Sequence, residues 1–231
     1  MKNIRFLFFS ILAFMAVSCE YFESPDDTAT VSQGFITYPA LSINGEQFIT
    51  ISVGGTFEDE GAVATLGTND ITNEIVIDGT VDPSTPGVYI IDYSVSITND
   101  LDEVSSVSEQ RYVAVVSEAA SALDLSGTYS GDGTAISGAW NQDATVTSIS
   151  GGWYRINKAL ASGNNLSIFF ALVGGNNAEV PMMIVVPNQN SPFGTVNSTS
   201  PGTSAELTEN GFQWNIFISC CGIFGPIIFT K

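Results

Sequence analysis

"VDPSTPGVYIIDYSVSI", residues 81–97, decides how the first half of this chain is built. From Tyr89 onward the apolar side chains recur at every second residue. Tyr89, Ile91, Tyr93, Val95 and Ile97 share one face, and Asp92, Ser94 and Ser96 the other. A period of two marks a β-strand with one face buried. Pro86-Gly87 supplies a tight turn that delivers Tyr89 inward, and Asn99-Asp100-Leu101-Asp102 makes the turn that follows. Residues 111–116 (RYVAVV) return as a closing strand, and residues 48–53 (FITISV), ending at Gly54-Gly55, form another. Short strands punctuated this often build a sandwich, and no stretch carries the period of a long amphipathic helix.

Outward from that strand, the chain divides. Its 231 residues, 44% of them hydrophobic, suffice for one large or two small domains. Residues 20–118 hold 18 of the 24 acids, whereas Trp140, Trp153 and Trp214 all lie beyond residue 123. A composition break this sharp predicts a boundary. The expected order is a signal peptide at 1–18, an acidic linker at 19–33, an Ig-like domain at 34–117, a connector at 118–123 and a C-terminal β domain at 124–231. In the last unit, strands are predicted at 129–136, 144–149, 152–156, 166–173, 180–186, 211–220 and 227–230, with a long loop at 187–202. The final strands are apolar on both faces, which predicts an interior position. The fold class expected is all-β, an N-terminal Ig-like β-sandwich followed by a second β-sandwich or barrel-like domain.

The first 18 residues read as an address. Lys2 and Arg5 precede an apolar run, residues 6–17, interrupted only by Ser10. Twelve residues rise about 18 Å as a helix, short of the ~30 Å bilayer core, so the run is a signal-peptide core. Ala16-Val17-Ser18-Cys19 resembles the lipobox of bacterial lipoproteins, with Ala16 where Leu is usual. That resemblance implies a diacylglycerol on Cys19 and attachment to a membrane, which two or three acyl chains make stable. Glu20, Glu23, Asp26 and Asp27 resemble the export signal of Bacteroidetes lipoproteins, implying the outer membrane with the protein facing the cell exterior. Asp27-Thr28-Ala29 resembles the O-glycosylation site of that phylum.

A second resemblance covers the first domain. Asp59-Glu60-Gly61-Ala62, the stretch from Asp82 through Tyr93, and residues 111–115 resemble the "DxGA", "D…TPGxYxVxY" and "RxVxV" steps of a bacterial Ig-like domain first described in pesticidal crystal proteins. It implies a structural or spacer module without catalytic residues. Gly61 and Gly87 are read as positions of positive φ or close packing. Arg111, the only basic residue between Cys19 and Asp124, is read as pairing with nearby acids. "LSGTYSG" at 125–131 and "GGWYRI" at 151–156 resemble the C-terminal domains of unknown function paired with this module in Bacteroidetes lipoproteins.

Charge and missing residue types narrow the chemistry. The net charge is −18, and loss of Lys2 and Arg5 with the leader leaves 4 basic against 24 acidic residues, −20. A polyanionic surface excludes nucleic acid as a partner. Histidine is absent, which removes Ser-His and Cys-His nucleophiles and His-containing zinc sites. Among Asp124, Asp132, Asp143, Glu179, Glu206 and Glu209 no spacing singles out a glycosidase pair. Glu58-Asp59-Glu60 and Asp100-Leu101-Asp102-Glu103 lack calcium-loop spacing and read as solvated turns. No catalytic residue, cofactor or metal is therefore expected.

Two constellations remain. Trp140, Asn141, Asp143, Trp153, Tyr154 and Trp214 have the composition of a sugar platform, aromatic faces for stacking and amides or acids for hydroxyls. The same rings also suit a β core, and since Trp153 and Tyr154 are adjacent in a strand, one should face in and the other out. Cys220-Cys221 is either a pair of buried thiols on opposite strand faces or a vicinal disulfide. The function expected is lipid-anchored surface binding, with glycan recognition by the C-terminal domain and the Ig-like domain as spacer. The alternative is a structural or protein-partner module of an outer-membrane assembly.

Overall fold

The computed structural model describes residues 37–99, 102–175 and 183–231. The readings of the leader, Cys19, the acidic linker, Thr28, Asp100 and Glu179 lie outside the described residues.

The first half holds β1 (Pro39–Ile43), β2 (Phe48–Ser52), β3 (Ala62–Leu66), β4 (Asn69–Asp70), β5 (Val76–Asp78), β6 (Gly87–Thr98) and β7 (Val104–Val116). They form two sheets, β1-β3-β4 and β2-β7-β6-β5, in which β2 runs parallel to β7 and every other pairing is antiparallel. The alternation in residues 89–97 is realised in β6: Ile91, Tyr93 and Val95 are buried and Ser96 is exposed. Ahead of β6, the Asp82 carboxylate accepts from the Ser84 amide (2.9 Å) and the Thr85 hydroxyl (2.8 Å), tying the turn. Gly61 has φ +72, a left-handed conformation that suits glycine, whereas Gly87 does not have positive φ and a Cβ there would meet only ordinary contacts.

Arg111 is wholly buried and pairs with Asp59. Its guanidinium also donates to the carbonyls of Asn44, Glu46 and Gly61 and lies 5.6 Å from the Tyr93 ring centre, while the Tyr93 hydroxyl donates to Asp59 at 2.6 Å. Asp59 is thus no solvated turn residue. It is the anion that lets a cation sit inside the sandwich. Burial lowers the Arg111 pKa and raises that of Tyr93.

The second half holds β8 (Gly127–Asp132), β9 (Ala144–Ser150), β10 (Trp153–Ile156), β11 (Ile168–Leu172), β12 (Ile184–Val185), β13 (Gln189–Ser191), β14 (Gly194–Asn197), β15 (Ser204–Thr208), β16 (Gly211–Ile218) and β17 (Gly222–Thr230). They make one antiparallel sheet in the order β12-β11-β10-β9-β8-β17-β16-β14-β13, with β15 also paired to β16. The sheet curls until Met183, beside β12, bridges Glu206 of β15, giving the barrel-like form expected. Phe170, Phe212, Trp214 and Phe229 fill the interior with ring centres 4.9–5.6 Å apart.

Two details depart from the sequence reading. The 187–202 loop contains the β13–β14 hairpin, which Gln189 ties to β11. Its buried amide accepts from the Phe169 N–H (2.9 Å) and donates to the Phe169 carbonyl (2.7 Å), replacing a strand partner for β11. The last strand, β17, is buried on one face only, with Ile223 and Ile228 exposed on the other.

The two halves share a core. Phe48 and Tyr112 from the first half pack with Trp153 and Phe169 from the second, ring centres 4.7–6.1 Å apart. The Trp153 indole N–H donates to the Ile49 carbonyl (3.0 Å), and the Ser117 amide donates to Val173 (3.0 Å). Residues 111–116 are therefore buried on both faces of β7: Val113 and Val115 alternate with Tyr112, Ala114 and Val116, which join the second half's core. Between them, the 118–123 segment forms a one-turn helix, Glu118–Ser121, capped by the Ser117 hydroxyl, which accepts from the Ala120 amide. Thr37–Lys231 is one compact unit.

Candidate ligand-binding surfaces

Burial sorts the six residues predicted as a sugar platform. Trp153 and Trp214 have no exposed surface and Tyr154 is 3% exposed. Their polar atoms are spent inside: the Trp214 indole N–H donates to the Ala159 carbonyl (2.9 Å) and the Tyr154 hydroxyl to the Leu123 carbonyl (3.1 Å). A ring enclosed on both faces cannot stack on a sugar, so these three are corrected to core residues. The expectation that only one of Trp153 and Tyr154 faces inward fails for a plain reason. A bulge at Trp153/Tyr154 lies within one continuous core, with Trp153 against Phe48 and Tyr112 and Tyr154 stacked on Phe170.

Trp140, Asn141 and Asp143 stay at the surface, on the loop that joins β8 to β9. Backbone bonds fix the loop: Trp140 N–H to Ser137 (2.9 Å), Gly133 N–H to Trp140 (2.6 Å) and Gln142 N–H to Ala161 (2.9 Å). The Trp140 ring is half-buried, 5.6 Å from the Phe224 ring and tilted 32° to it. Asn141 and Asp143 are exposed, and neither side chain has a hydrogen-bond partner among the described residues. Between them Gln142 accepts from the Lys158 ammonium at 3.1 Å. The surface thus offers one propped aromatic ring, a free amide and a free carboxylate.

A second concavity, which sequence reasoning missed, lies at the seam where the curled sheet closes. It is a half-open cleft of about 380 Å³ lined by Ile184, Val185 and Ala205 together with Thr199, Ser204 and Glu206. Its residues come from segments twenty positions apart that only the curl of the sheet brings together.

The cysteines occupy neither surface. Cys220 and Cys221 sit in the exposed turn between β16 and β17 and are joined as a disulfide, so they are not buried strand thiols. Of the carboxylates weighed for acid–base chemistry, Asp124 and Asp132 are each held below the usual carboxylate range by hydrogen bonds, from Ser126 and Thr134 respectively. A carboxylate stabilised as its anion is poorly suited to act as a general acid.

Comparison with known proteins agrees with the Ig-like reading of the first half. Residues 41–115 match the family described as bacterial surface protein, Ig-like domain. No curated protein matches the chain. Among solved structures, it is similar to the lipoprotein BT2262 from Bacteroides thetaiotaomicron, with 20% identity over 84% of this chain and 100% of that one, at a TM-score of 0.35. Two structures from Clostridium perfringens ZmpB are also similar. One contains CBM51-2 in complex with GlcNAc and INT domains, at 16% identity over 72% of this chain and 30% of that one, TM-score 0.26. The other contains the M60 catalytic domain with CBM51-1 and CBM51-2, at 14% identity over 84% of this chain and 20% of that one, TM-score 0.27.

Proposed function

We propose that this is a lipid-anchored protein of the bacterial outer surface, tethered through Cys19, whose second half binds a saccharide without catalysis. The observation that carries the reading is Trp140. Alone among the three tryptophans it is not wholly buried, and it lies on a loop fixed by its own backbone, flanked by an exposed amide and an exposed carboxylate without hydrogen-bond partners among the described residues. Aromatic stacking supplies affinity for the apolar face of a sugar, and Asn141 and Asp143 supply direction through its hydroxyls. The match of residues 41–115 to a bacterial surface Ig-like domain supports the location.

The test is titration of the protein with a panel of neutral polysaccharides, followed by tryptophan fluorescence, beside Trp140→Ala. Saturable quenching that Trp140→Ala abolishes supports the reading. Binding that survives Trp140→Ala, or no binding across the panel, refutes it. A second reading, a module that contacts another outer-membrane protein, is favoured by the burial of Trp153 and Trp214, and predicts that panel to be silent. For the anchor, mass spectrometry of the natural protein should find acyl chains on Cys19.

A further inference from the structure

We infer that the cleft at the barrel seam is a separate binding site for a monosaccharide-sized, hydroxyl-bearing ligand that is neutral or carries a protonated amine. Ligand pockets occupy roughly 300–1,000 Å³ and combine an apolar lining with a few placed polar groups. The cleft, at about 380 Å³, has that make-up. Its polar groups are held in position. The buried Asn197 side chain accepts from the Thr199 and Ser200 amides at 3.1 and 2.9 Å, which fixes the turn that presents Thr199. The Thr199 hydroxyl itself has no partner among the described residues. The Ser204 hydroxyl accepts from the Asn215 amide (2.8 Å) and keeps its own proton to donate. Gln213 donates to one oxygen of Glu206 at 2.6 Å, which orients the carboxylate, and the second oxygen has no partner among the described residues.

Charge sets the selectivity. Among the described residues that line the cleft, Glu206 is the sole ionisable group and none is basic. Lys231 is bonded to the Ser126 carbonyl, Lys158 to Gln142, Arg111 is enclosed in the sandwich, and Arg155 of β10 does not line the cleft. On a chain of net charge −18, an anionic sugar would meet repulsion with nothing to offset it, whereas an ammonium would gain a charge-assisted bond. The inference does not depend on the Trp140 surface, with which the cleft shares no residue.

The test is an amide-resolved NMR titration of the folded chain with D-glucosamine, D-glucose and D-glucuronate, up to about tenfold over a Kd on the order of 1 mM. Glucosamine and glucose are expected to shift the Thr199, Ser204 and Glu206 amides, and glucuronate is not. Glu206→Gln should weaken glucosamine about fivefold to tenfold and leave glucose nearly unchanged. Thr199→Val should weaken both, which keeps the test available if Glu206→Gln fails to fold. No shift with any of the three sugars overturns the inference. So do shifts confined to the Trp140 loop, or glucuronate binding as tightly as glucosamine.

Discussion

Removing Asp59 should cost this protein far more than removing Arg111, although the two form one ion pair. Arg111 has no exposed surface, whereas the Asp59 side chain is 26% exposed. Asp59→Ala leaves a guanidinium enclosed among the Asn44, Glu46 and Gly61 carbonyls and the Tyr93 ring with no anion. Stripping one partner from a buried pair costs about 3–5 kcal/mol, and partial screening at Asp59 puts the value near the lower end, ~3 kcal/mol. Arg111→Met leaves a carboxylate that water can still reach and to which Tyr93 and the Gly61 amide still donate, so about 1–2 kcal/mol is expected. The double variant should cost less than the sum by ~1 kcal/mol or more, because the stranded charge is gone. Urea denaturation followed by tryptophan fluorescence measures all three. If Asp59→Ala costs under about 1 kcal/mol, or the two losses simply add, the pair is not the anchor described here.

Three further outcomes follow from the shared core and its neighbours. Phe48→Ala removes a partly buried ring of the first half that touches Trp153, so it should cost about 2–3 kcal/mol and shift the fluorescence and far-UV circular dichroism transitions together; two separated transitions would contradict a single core. Tyr112, pushed up to about 12 chiefly by burial and then by Asp92 and Glu109, stays protonated in the folded chain after an unfolded tyrosine has ionised. The folded state then binds the extra proton, so stability is intact below pH ~10 and falls as pH rises towards 12, a slope that Tyr112→Phe should flatten in pH-dependent urea melts. Gly61→Ala meets no atom within 4 Å, so its cost should be the left-handed backbone alone, roughly 1–2 kcal/mol by thermal melting.

The sequence disclosed most of the sandwich and little of the binding surface, for physical reasons. In residues 89–97 one face meets apolar atoms and the other meets water, so alternation is visible. In residues 111–116 both faces are covered, and Tyr112, Ala114 and Val116 are as apolar as Val113 and Val115; the run says "buried twice" without naming the second partner. Trp153 and Tyr154 misled because adjacent residues were assumed to face one core and one solvent, when the shared core covers both faces of the strand. Trp140 resembles them in composition but differs in setting, on a loop bonded to itself. Nothing in the chain foreshadowed the seam cleft. Thr199, Ser204 and Glu206 line one cleft with Ile184 and Val185 only because a nine-strand path of hydrogen-bonded neighbours curls back on itself.

Strand β7 carries a last consequence, for how such proteins can be rearranged. A gene break at residue 117 would look like a natural seam between modules, yet it would strip the cover from Tyr112, Ala114 and Val116 on one fragment and from Trp153 and Phe169 on the other. Each piece alone would present a sticky face to its neighbours. Recombination that preserves the fold must therefore move both halves as a single cassette, and the immunoglobulin-like part cannot be exchanged for another module without rebuilding the face it lends to its companion.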